Sequence, residues 1–205
     1  LNIINPKATS FEVFFFFFFD ENTICGNDVW SAYSNENFIL SGTSTGLSYY
    51  NKKSKKFKKY DYIEKGNGQS LITYYQCIGS DLKGNIWVGS DGEGLLKLNP
   101  ITGKMEKLEI TNLKSLGISA LTILCVEFSN DEIWIGTSSE GLIRYNVSTK
   151  KAKVYKHSSN PNSIAQNAVT SLHFTDNNSL WISLQDNGVN RLDIAKEQFT
   201  WISKK

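Results

Sequence analysis

Several features that would indicate a metal, redox or membrane protein are scarce in this sequence. Its 205 residues include two histidines and three cysteines, and none of them shows the paired spacing of a zinc site. Because Cys25, Cys77 and Cys125 are odd in number and form no Cys-x-x-Cys pair, we expect buried thiols rather than a disulfide framework. The sequence contains no run of 18 apolar residues and does not begin with a signal peptide.

Charge of one sign is also lacking. The 22 Lys and Arg residues nearly balance 20 Asp and Glu residues, so the net charge is +2 and no strong field attracts nucleic acid or an anionic membrane. Carboxylates are scattered singly, and no acid/base pair, nucleophile elbow or triad is recognisable. We therefore expect no enzyme activity, metal ion or cofactor in this segment.

What the sequence does contain is a motif that returns every 47 residues. Leu40, Trp87, Trp134 and Trp181 mark the four copies, and a small residue follows each of them two positions later. These small residues are Gly42, Gly89, Gly136 and Ser183. A fixed period of this length predicts one supersecondary unit that stacks repeatedly.

Each copy predicts four short antiparallel strands. In the third copy, alternation and turn residues predict strands over 121–128, 133–137, 142–146 and 152–157. The first of these is largely apolar, so we expect it to be buried on both faces. Four strands in about 40 residues are typical of a β-propeller blade, whereas leucine-rich, helical and immunoglobulin-like alternatives fit the period less well.

The chain is therefore predicted to be all-β, a single β-propeller segment over residues 1–205. The predicted units are a half blade with its linker over 1–19 and whole blades over 20–66, 67–113, 114–160 and 161–205. Such a segment of about four and a half blades is expected to belong to a larger propeller, because each blade needs neighbours to cover its apolar faces.

Two segments do not follow the pattern of the other copies. Phe14–Phe19, six phenylalanines in a row, aligns with the end of a fourth strand and the linker after it, and has the composition of an aggregating segment. The lysine-rich run 52–59 is interpreted as a solvated hairpin tip in preference to a phosphate-binding patch. Trp87, Trp134 and Trp181 are assigned to core packing, and Trp30 is the tryptophan that best fits a ligand-facing ring.

Topology predicts where a ligand would bind. In a four-stranded meander, the turn between strands two and three lies on the same face as the linker to the next blade, and long loops on a rigid scaffold commonly carry recognition. The polar candidates for ligand binding on this face are Asp91, Glu93, Glu140, Gln185, Asp186, Asn187, His157 and Asn160.

The motifs IWVGSDGEGLLKLNP (86–100) and EIWIGTSSEGLIRYN (132–146) resemble the two-component regulator propeller repeat. The segment HSSNPNSIAQNAVTSLHFTDNNSLW (157–181) and the first copy resemble it too, so the resemblance covers essentially the whole chain. Leu40 in place of tryptophan, Ser183 in place of glycine and the phenylalanine run are departures from it.

The resemblance implies the extracytoplasmic, periplasmic or cell-surface, sensor of a membrane-anchored bacterial signalling protein. Family output modules are histidine kinases or diguanylate cyclases, and ligands are often oligosaccharides. Partners would be the rest of the parent propeller, an oligosaccharide ligand and a second copy in a homodimer. The alternatives are a protein-interaction scaffold without a small ligand and, less favoured, a propeller lyase or hydrolase.

Overall fold

The computed structural model describes residues 13–60, 63–64, 70–71, 73–118 and 121–202. This part of the chain forms four antiparallel sheets of four strands each and one two-stranded hairpin. In sheet 1, the strands are β1 (Val29–Ser34), β2 (Phe38–Thr43), β3 (Gly46–Asn51) and β4 (Lys56–Tyr60). The hairpin pairs β5 (Ile63–Glu64) with β6 (Ser70–Leu71).

The remaining sheets repeat this order. Sheet 2 contains β7 (Tyr75–Ser80), β8 (Ile86–Ser90), β9 (Leu95–Leu98) and β10 (Met105–Lys107), and a 3₁₀ turn over Lys114–Leu116 follows it. Sheet 3 contains β11 (Ile123–Ser129), β12 (Glu132–Thr137), β13 (Leu142–Asn146) and β14 (Lys151–Tyr155). Sheet 4 contains β15 (Val169–Asp176), β16 (Ser179–Leu184), β17 (Val189–Asp193) and β18 (Gln198–Ile202).

Every sheet is a meander in which consecutive strands are neighbours, and the first strands β1, β7, β11 and β15 lie side by side. This is the arrangement of consecutive propeller blades, so the prediction of an all-β propeller segment is confirmed. The predicted half blade lies largely outside the described residues, because the structure describes the chain from residue 13 onward. No helix in the described part of the chain is long and apolar enough to cross a membrane.

The core lies between the sheets, in three apolar clusters that correspond to the three sheet-to-sheet interfaces. Leu40 packs between sheets 1 and 2, Trp87 between sheets 2 and 3, and Trp134 between sheets 3 and 4. Leu40 and Trp134 are fully buried, and Trp87 keeps 8% of its surface. The motif residue of each of these sheets is thus covered by the sheet that follows, as expected for stacked repeats.

The motif glycines of sheets 2 and 3 are required for steric reasons. A Cβ on Gly89 would lie 2.4 Å from the Cys77 sulfur and 2.7 Å from Ile123 of the next sheet. A Cβ on Gly136 would meet Cys125 and Val169 in the same way. Only glycine therefore lets the first strand of the next sheet approach this closely.

The outer edge of three sheets is capped by an asparagine from the preceding linker. The side-chain oxygens of Asn22, Asn112 and Asn162 accept hydrogen bonds from the backbone N–H groups of Phe57, Ala152 and Phe199, at 2.8, 2.8 and 2.7 Å. These three N–H groups occupy equivalent places in the fourth strands. The linkers thus accept hydrogen bonds from backbone N–H groups of the edge strands, which would otherwise be free to pair with another chain.

One sequence-based expectation about burial is wrong. The first strand of the third copy is not buried on both faces: Ile123 is buried, and the other six residues of β11 are only half-buried. A first strand has a hydrogen-bonded neighbour on one edge only, so the second and third strands of the meander are better covered. Phe14–Phe19 contains no strand residue, and the rings of Phe17, Phe18 and Phe19 are exposed.

Part of the phenylalanine segment nevertheless packs onto sheet 1. The Phe14 ring lies 4.7 Å from the Tyr50 ring and 5.3 Å from the Phe57 ring. Tyr155 makes a similar contact with Phe199, at 5.6 Å, across the interface between sheets 3 and 4. Phe14 thus occupies the place of an aromatic residue from a preceding fourth strand, as the alignment with sheet 3 predicts.

Candidate functional site

The turns between second and third strands are bonded to the ends of the linkers. The backbone N–H of Asp91 donates to the Tyr74 carbonyl at 3.0 Å, and the N–H of Gln185 donates to the Ala168 carbonyl at 3.1 Å. The N–H of Ser138 makes the same bond to Thr122 at 3.1 Å. These turns and the linkers therefore share one face of the molecule, the linker face, which carries the predicted binding residues.

Asp91 and Glu93 lie together on the turn of sheet 2. Asp91 Oδ1 accepts a hydrogen bond from the Thr122 hydroxyl at 2.6 Å, and Glu93 Oε2 lies 3.6 Å from Lys107 Nζ. Glu93 and Lys107 are among the residues that line a small hollow of about 60 Å³, whose other lining residues are mainly apolar. Both carboxylates are thus already engaged by neighbours within the scaffold.

Glu140 occupies the position in sheet 3 that Glu93 has in sheet 2. Its carboxylate lies 2.6 Å from Lys156 Nζ, and its backbone N–H donates to the Thr137 hydroxyl at 2.8 Å. The Lys156 ammonium balances the charge of this carboxylate. Glu140 therefore ties the turn to the start of the next linker.

Three of the predicted residues meet in one cleft of sheet 4. His157, Asp186 and Asn187 line an open cleft of about 530 Å³. The remaining residues of its wall are Ala165, Gly188, Trp201 and Ile202. The linker before sheet 4, the turn between β16 and β17, and the end of β18 all contribute to the wall.

Asp186 is held by a reciprocal pair of hydrogen bonds. The Gln166 side-chain amide donates to Asp186 Oδ2 at 3.0 Å, and the Asp186 backbone N–H donates to Gln166 Oε1 at 3.0 Å. Beside it, the Asn187 side-chain amide donates to the Ala165 carbonyl at 3.3 Å. These contacts hold the turn against the linker and fix both side chains at the rim of the cleft.

His157 and Trp201 also line the cleft. His157 Nδ1 lies 2.9 Å from the Ile164 carbonyl oxygen, and because a carbonyl can only accept, Nδ1 is the donor. The Trp201 indole N–H donates to the Ser163 carbonyl at 2.6 Å, and the two rings lie 6.5 Å apart. Both rings are therefore held by linker carbonyls.

Gln185 and Asn160 are exposed and do not line the cleft. Asn160 Oδ1 accepts from the Asn162 backbone N–H at 2.9 Å, so it shapes a turn of the linker. Sequence reasoning missed Trp201 and Gln166. Trp201 could have been recognised because it falls outside the 47-residue series, whereas nothing in the local sequence distinguishes Gln166.

A cluster of ionisable groups lies at the interface between sheets 3 and 4 and links the two sheets by ion pairs and hydrogen bonds. The Glu197 carboxylate pairs with Lys153 and accepts from the Tyr155 hydroxyl at 3.2 Å. The hydrogen bond from Lys153 lowers the pKa of Glu197, and burial raises the pKa of Tyr155. Arg144, which pairs with Glu132 at 2.8 Å, lies 5.1 Å from the Trp134 ring. Throughout the described ranges, His, Cys, Asp and Glu form no group of three that could hold a metal ion.

The geometry of the chain is similar to that of solved extracellular domains. The extracellular domain of BT3049 from B. thetaiotaomicron, described as a hybrid two component system, matches 86% of this chain with a TM-score of 0.71 and 18% identity. The extracellular domain of BT4673 from the same organism, described as a one component or a hybrid two component system, matches 82–83% with a TM-score of 0.66 and 22% identity. The chain spans about a quarter of the length of these domains, 25% and 22% respectively.

A chain of the Mitotic Checkpoint Complex has the same kind of fold, with a TM-score of 0.58, 12% identity, and coverage of 85% of this chain and 48% of its own. Neither a family model nor a curated protein matches the sequence. The solved structures therefore show the fold, a β-propeller segment, and they agree with the resemblance seen in the repeats. Because unrelated proteins share this fold, it does not by itself define the function.

Proposed function

We propose that the chain is the ligand-sensing propeller of an extracytoplasmic bacterial signal-transduction protein of the two-component sensor type. The observation that carries this proposal is the match of more than four fifths of the chain to extracellular domains of such systems. The repeat motifs, which resemble the regulator propeller family, support the same assignment independently of the coordinates. In this proposal the segment binds and does not catalyse.

The ligand is proposed to be an oligosaccharide or another small polar molecule, bound on the linker face. The proposed binding residues are Asp91, Glu93, Glu140, Gln185, Asp186, Asn187, His157 and Asn160. Within this set, His157, Asp186 and Asn187 line one cleft at sheet 4, whereas Asp91, Glu93 and Glu140 lie on the turns of sheets 2 and 3. The linkers connect successive blades, so a ligand held there would bias the placement of neighbouring propeller domains or of a second subunit.

Thermal unfolding with defined oligosaccharides tests this proposal. The chain is mixed with neutral and acidic plant, fungal and host oligosaccharides, and any hit is titrated by calorimetry. A ligand at 100 times its Kd is expected to stabilise the folded state by about 2.7 kcal/mol, because it binds the folded state alone. If no saccharide shifts the unfolding temperature or binds at millimolar concentration, the oligosaccharide assignment is wrong.

The exposed rings of Phe17, Phe18 and Phe19 favour a second candidate, a protein-interaction scaffold. Their exposed fractions are 61%, 81% and 97%, and contiguous apolar surface of this kind is typical of an interaction site. Replacing all three by serine separates the two functions. If the triple variant no longer captures a protein partner from the parent organism but binds saccharides as before, the phenylalanine surface acts as a protein-interaction site.

A further inference from the structure

The rings of Phe17, Phe18 and Phe19 form an exposed apolar projection beside sheet 1. The Phe18 ring lies 5.3 Å from the Phe19 ring and 6.5 Å from the Phe16 ring. The exposed fractions of Phe18 and Phe19 are 81% and 97%. Contiguous aromatic surface of this kind indicates a contact with another molecule. These three residues, 17–19, form the aromatic tip.

The aromatic tip follows the path of the polar linker before sheet 4. The Phe16 backbone N–H donates to Asn27 Oδ1 at 2.8 Å, as the His157 backbone N–H donates to Asn167 Oδ1 at 2.7 Å. Residues 157–162 of the polar linker are exposed, although sheets 3 and 4 are described on both sides of them. Exposure is therefore a property of this place in the repeat, and the aromatic tip puts phenylalanine where the linker before sheet 4 is polar.

Lysines flank the aromatic tip. Strand β4 lies against its linker, because the Phe57 backbone N–H donates to Asn22 Oδ1 at 2.8 Å. Lys59 Nζ lies 5.3 Å from the centroid of the Phe16 ring. The run 52–59 contains six lysines, and none of them forms an ion pair with a described residue. Apolar rings and uncompensated cations therefore share one surface.

The local charge of this surface is positive. The adjoining linker carries two carboxylates, Asp20 and Glu21, and the six lysines of the run 52–59 exceed them by four. The net charge of the whole chain is only +2, so this excess is a local property. A second copy of the chain on the same surface would bring lysines towards lysines, which is unfavourable. A negatively charged surface is the complementary one.

We propose that the aromatic tip and the lysine run 52–59 form a contact site for the surface of an anionic phospholipid bilayer. The three rings enter the boundary between headgroups and acyl chains, which accepts apolar side chains without a complementary pocket. The lysines reach the lipid phosphates through their long side chains. The contact turns this edge of sheet 1 towards the bilayer. It is separate from the residues that are proposed to bind a ligand.

Co-sedimentation of the whole chain with two kinds of vesicle tests the apolar part of the site. One kind is phosphatidylcholine alone, and the other is an equimolar mixture of phosphatidylcholine and phosphatidylglycerol. The variants are Phe18→Ser and the replacement of all three residues of the aromatic tip by serine. Leu82→Ser is the matched control for the single variant, because Leu82 is 76% exposed on a turn of sheet 2. Circular dichroism establishes that each variant is folded.

The chain is expected to bind the mixed vesicles in preference to phosphatidylcholine alone. Phe18→Ser should weaken this binding by about threefold or more and the triple variant by about tenfold or more, because less apolar surface leaves water. Leu82→Ser should leave the binding unchanged. The single variant also serves if the triple variant does not fold.

The basic part of the site is tested by a second triple variant, in which glutamine replaces Lys53, Lys55 and Lys56. Its control makes the same change of charge at three exposed lysines of sheets 2 and 3 and the linker between them, Lys83, Lys114 and Lys151. The first variant should weaken binding to the mixed vesicles by about tenfold or more, because each lysine near an anionic surface adds to the attraction. The control should change it by less than about twofold, since those lysines belong to other sheets.

Four results would overturn the inference. Equal binding to both kinds of vesicle would remove the anionic assignment, and binding that Phe18→Ser and the triple serine variant leave unchanged would remove the site. A dimer that the triple serine variant dissociates, without vesicle binding by the original chain, would identify a second copy as the occupant. Capture of a protein partner without vesicle binding would identify a protein surface. None of these results bears on saccharide binding.

Discussion

Trp134 in sheet 3 and Trp181 in sheet 4 occupy the same place in the repeat but have different surroundings. Trp134 is fully buried and packs against Tyr155, at 6.2 Å between ring centroids, and against Phe174 of sheet 4, at 6.1 Å. Trp181 is only half-buried, because no described sheet lies over its outer face. The same residue is thus core or surface according to whether a neighbouring sheet covers it.

The small residue of the motif shows the same contrast. Gly136 has no room for a side chain, since an added Cβ would lie 2.3 Å from the Cys125 sulfur and 2.7 Å from Val169. At the equivalent place, sheet 4 carries Ser183, which remains half-buried. Glycine stands where the next sheet approaches, and serine stands where no described strand does.

Among the substitutions that test this comparison, replacing the motif tryptophan by alanine should change the free energy of unfolding most. Trp134→Ala is expected to lower the free energy of unfolding by about 3–5 kcal/mol, because it leaves a large cavity between sheets 3 and 4. Trp181→Ala should lower it by about 1 kcal/mol, since part of that ring is already in water. Urea unfolding followed by tryptophan fluorescence and circular dichroism measures both. Equal losses would show that sheet 4 has a covering partner in solution.

Adding a small side chain should have an intermediate effect. Gly136→Ser is expected to lower the free energy of unfolding by about 1–3 kcal/mol, because Val169 must move away from sheet 3. Ser183→Ala is the control at the equivalent place and should change it by less than about 0.5 kcal/mol. The measurement is again the urea midpoint, with the slope checked for two-state behaviour. If the serine at position 136 were tolerated as well as that at 183, the close approach of the sheets would be contradicted.

The smallest expected change in stability concerns the first-strand residue that pairs with the small residue of the motif. This residue is Cys77 in sheet 2 and Cys125 in sheet 3, and it is serine in sheets 1 and 4. Burial raises the pKa of the Cys77 thiol to about 12. Ionisation is therefore easier in the unfolded chain, and stability should fall as the pH rises from about 9 towards 12, by at most about 1.4 kcal/mol per pH unit.

Cys77→Ser should make this decline shallower, because serine does not ionise in this range. The substitution is suitable because Ser31 and Ser171 occupy the equivalent place in sheets 1 and 4. Urea midpoints at pH 8, 9 and 10 compare the two proteins. Identical pH profiles would mean that the thiol is not protected from ionisation in the folded state.

Much of the fold was predictable because it follows from local sequence. The strands predicted for the third copy, 133–137 and 142–146, agree with β12 and β13 to within one residue. Alternation and turn residues are local properties, and four copies of one pattern reinforce each other. The burial of the first strand of the third copy was predicted wrongly, because composition does not reveal which edge of a sheet has a neighbour.

For the candidate site, the sequence predicted only which face of the propeller would carry it, and not which side chains would meet there. Topology places the turns and linkers together, and the structure has the hydrogen bonds that join them. Which side chains meet depends on linker conformation, so the union of His157, Asp186 and Asn187 with Trp201 could not be derived from spacing. Contacts such as Gln166 with Asp186 join residues 20 positions apart through a turn, and no periodicity encodes them.

The amino-acid sequence by itself determined the repeating unit, because hydrogen bonding and side-chain alternation within a meander depend on neighbouring residues in the chain. Tertiary structure alone decided which copies of the motif are buried, since burial depends on the sheet that packs alongside. It also decided where the linkers and turns form a cleft, because that requires segments from three different loops and strands to meet in space.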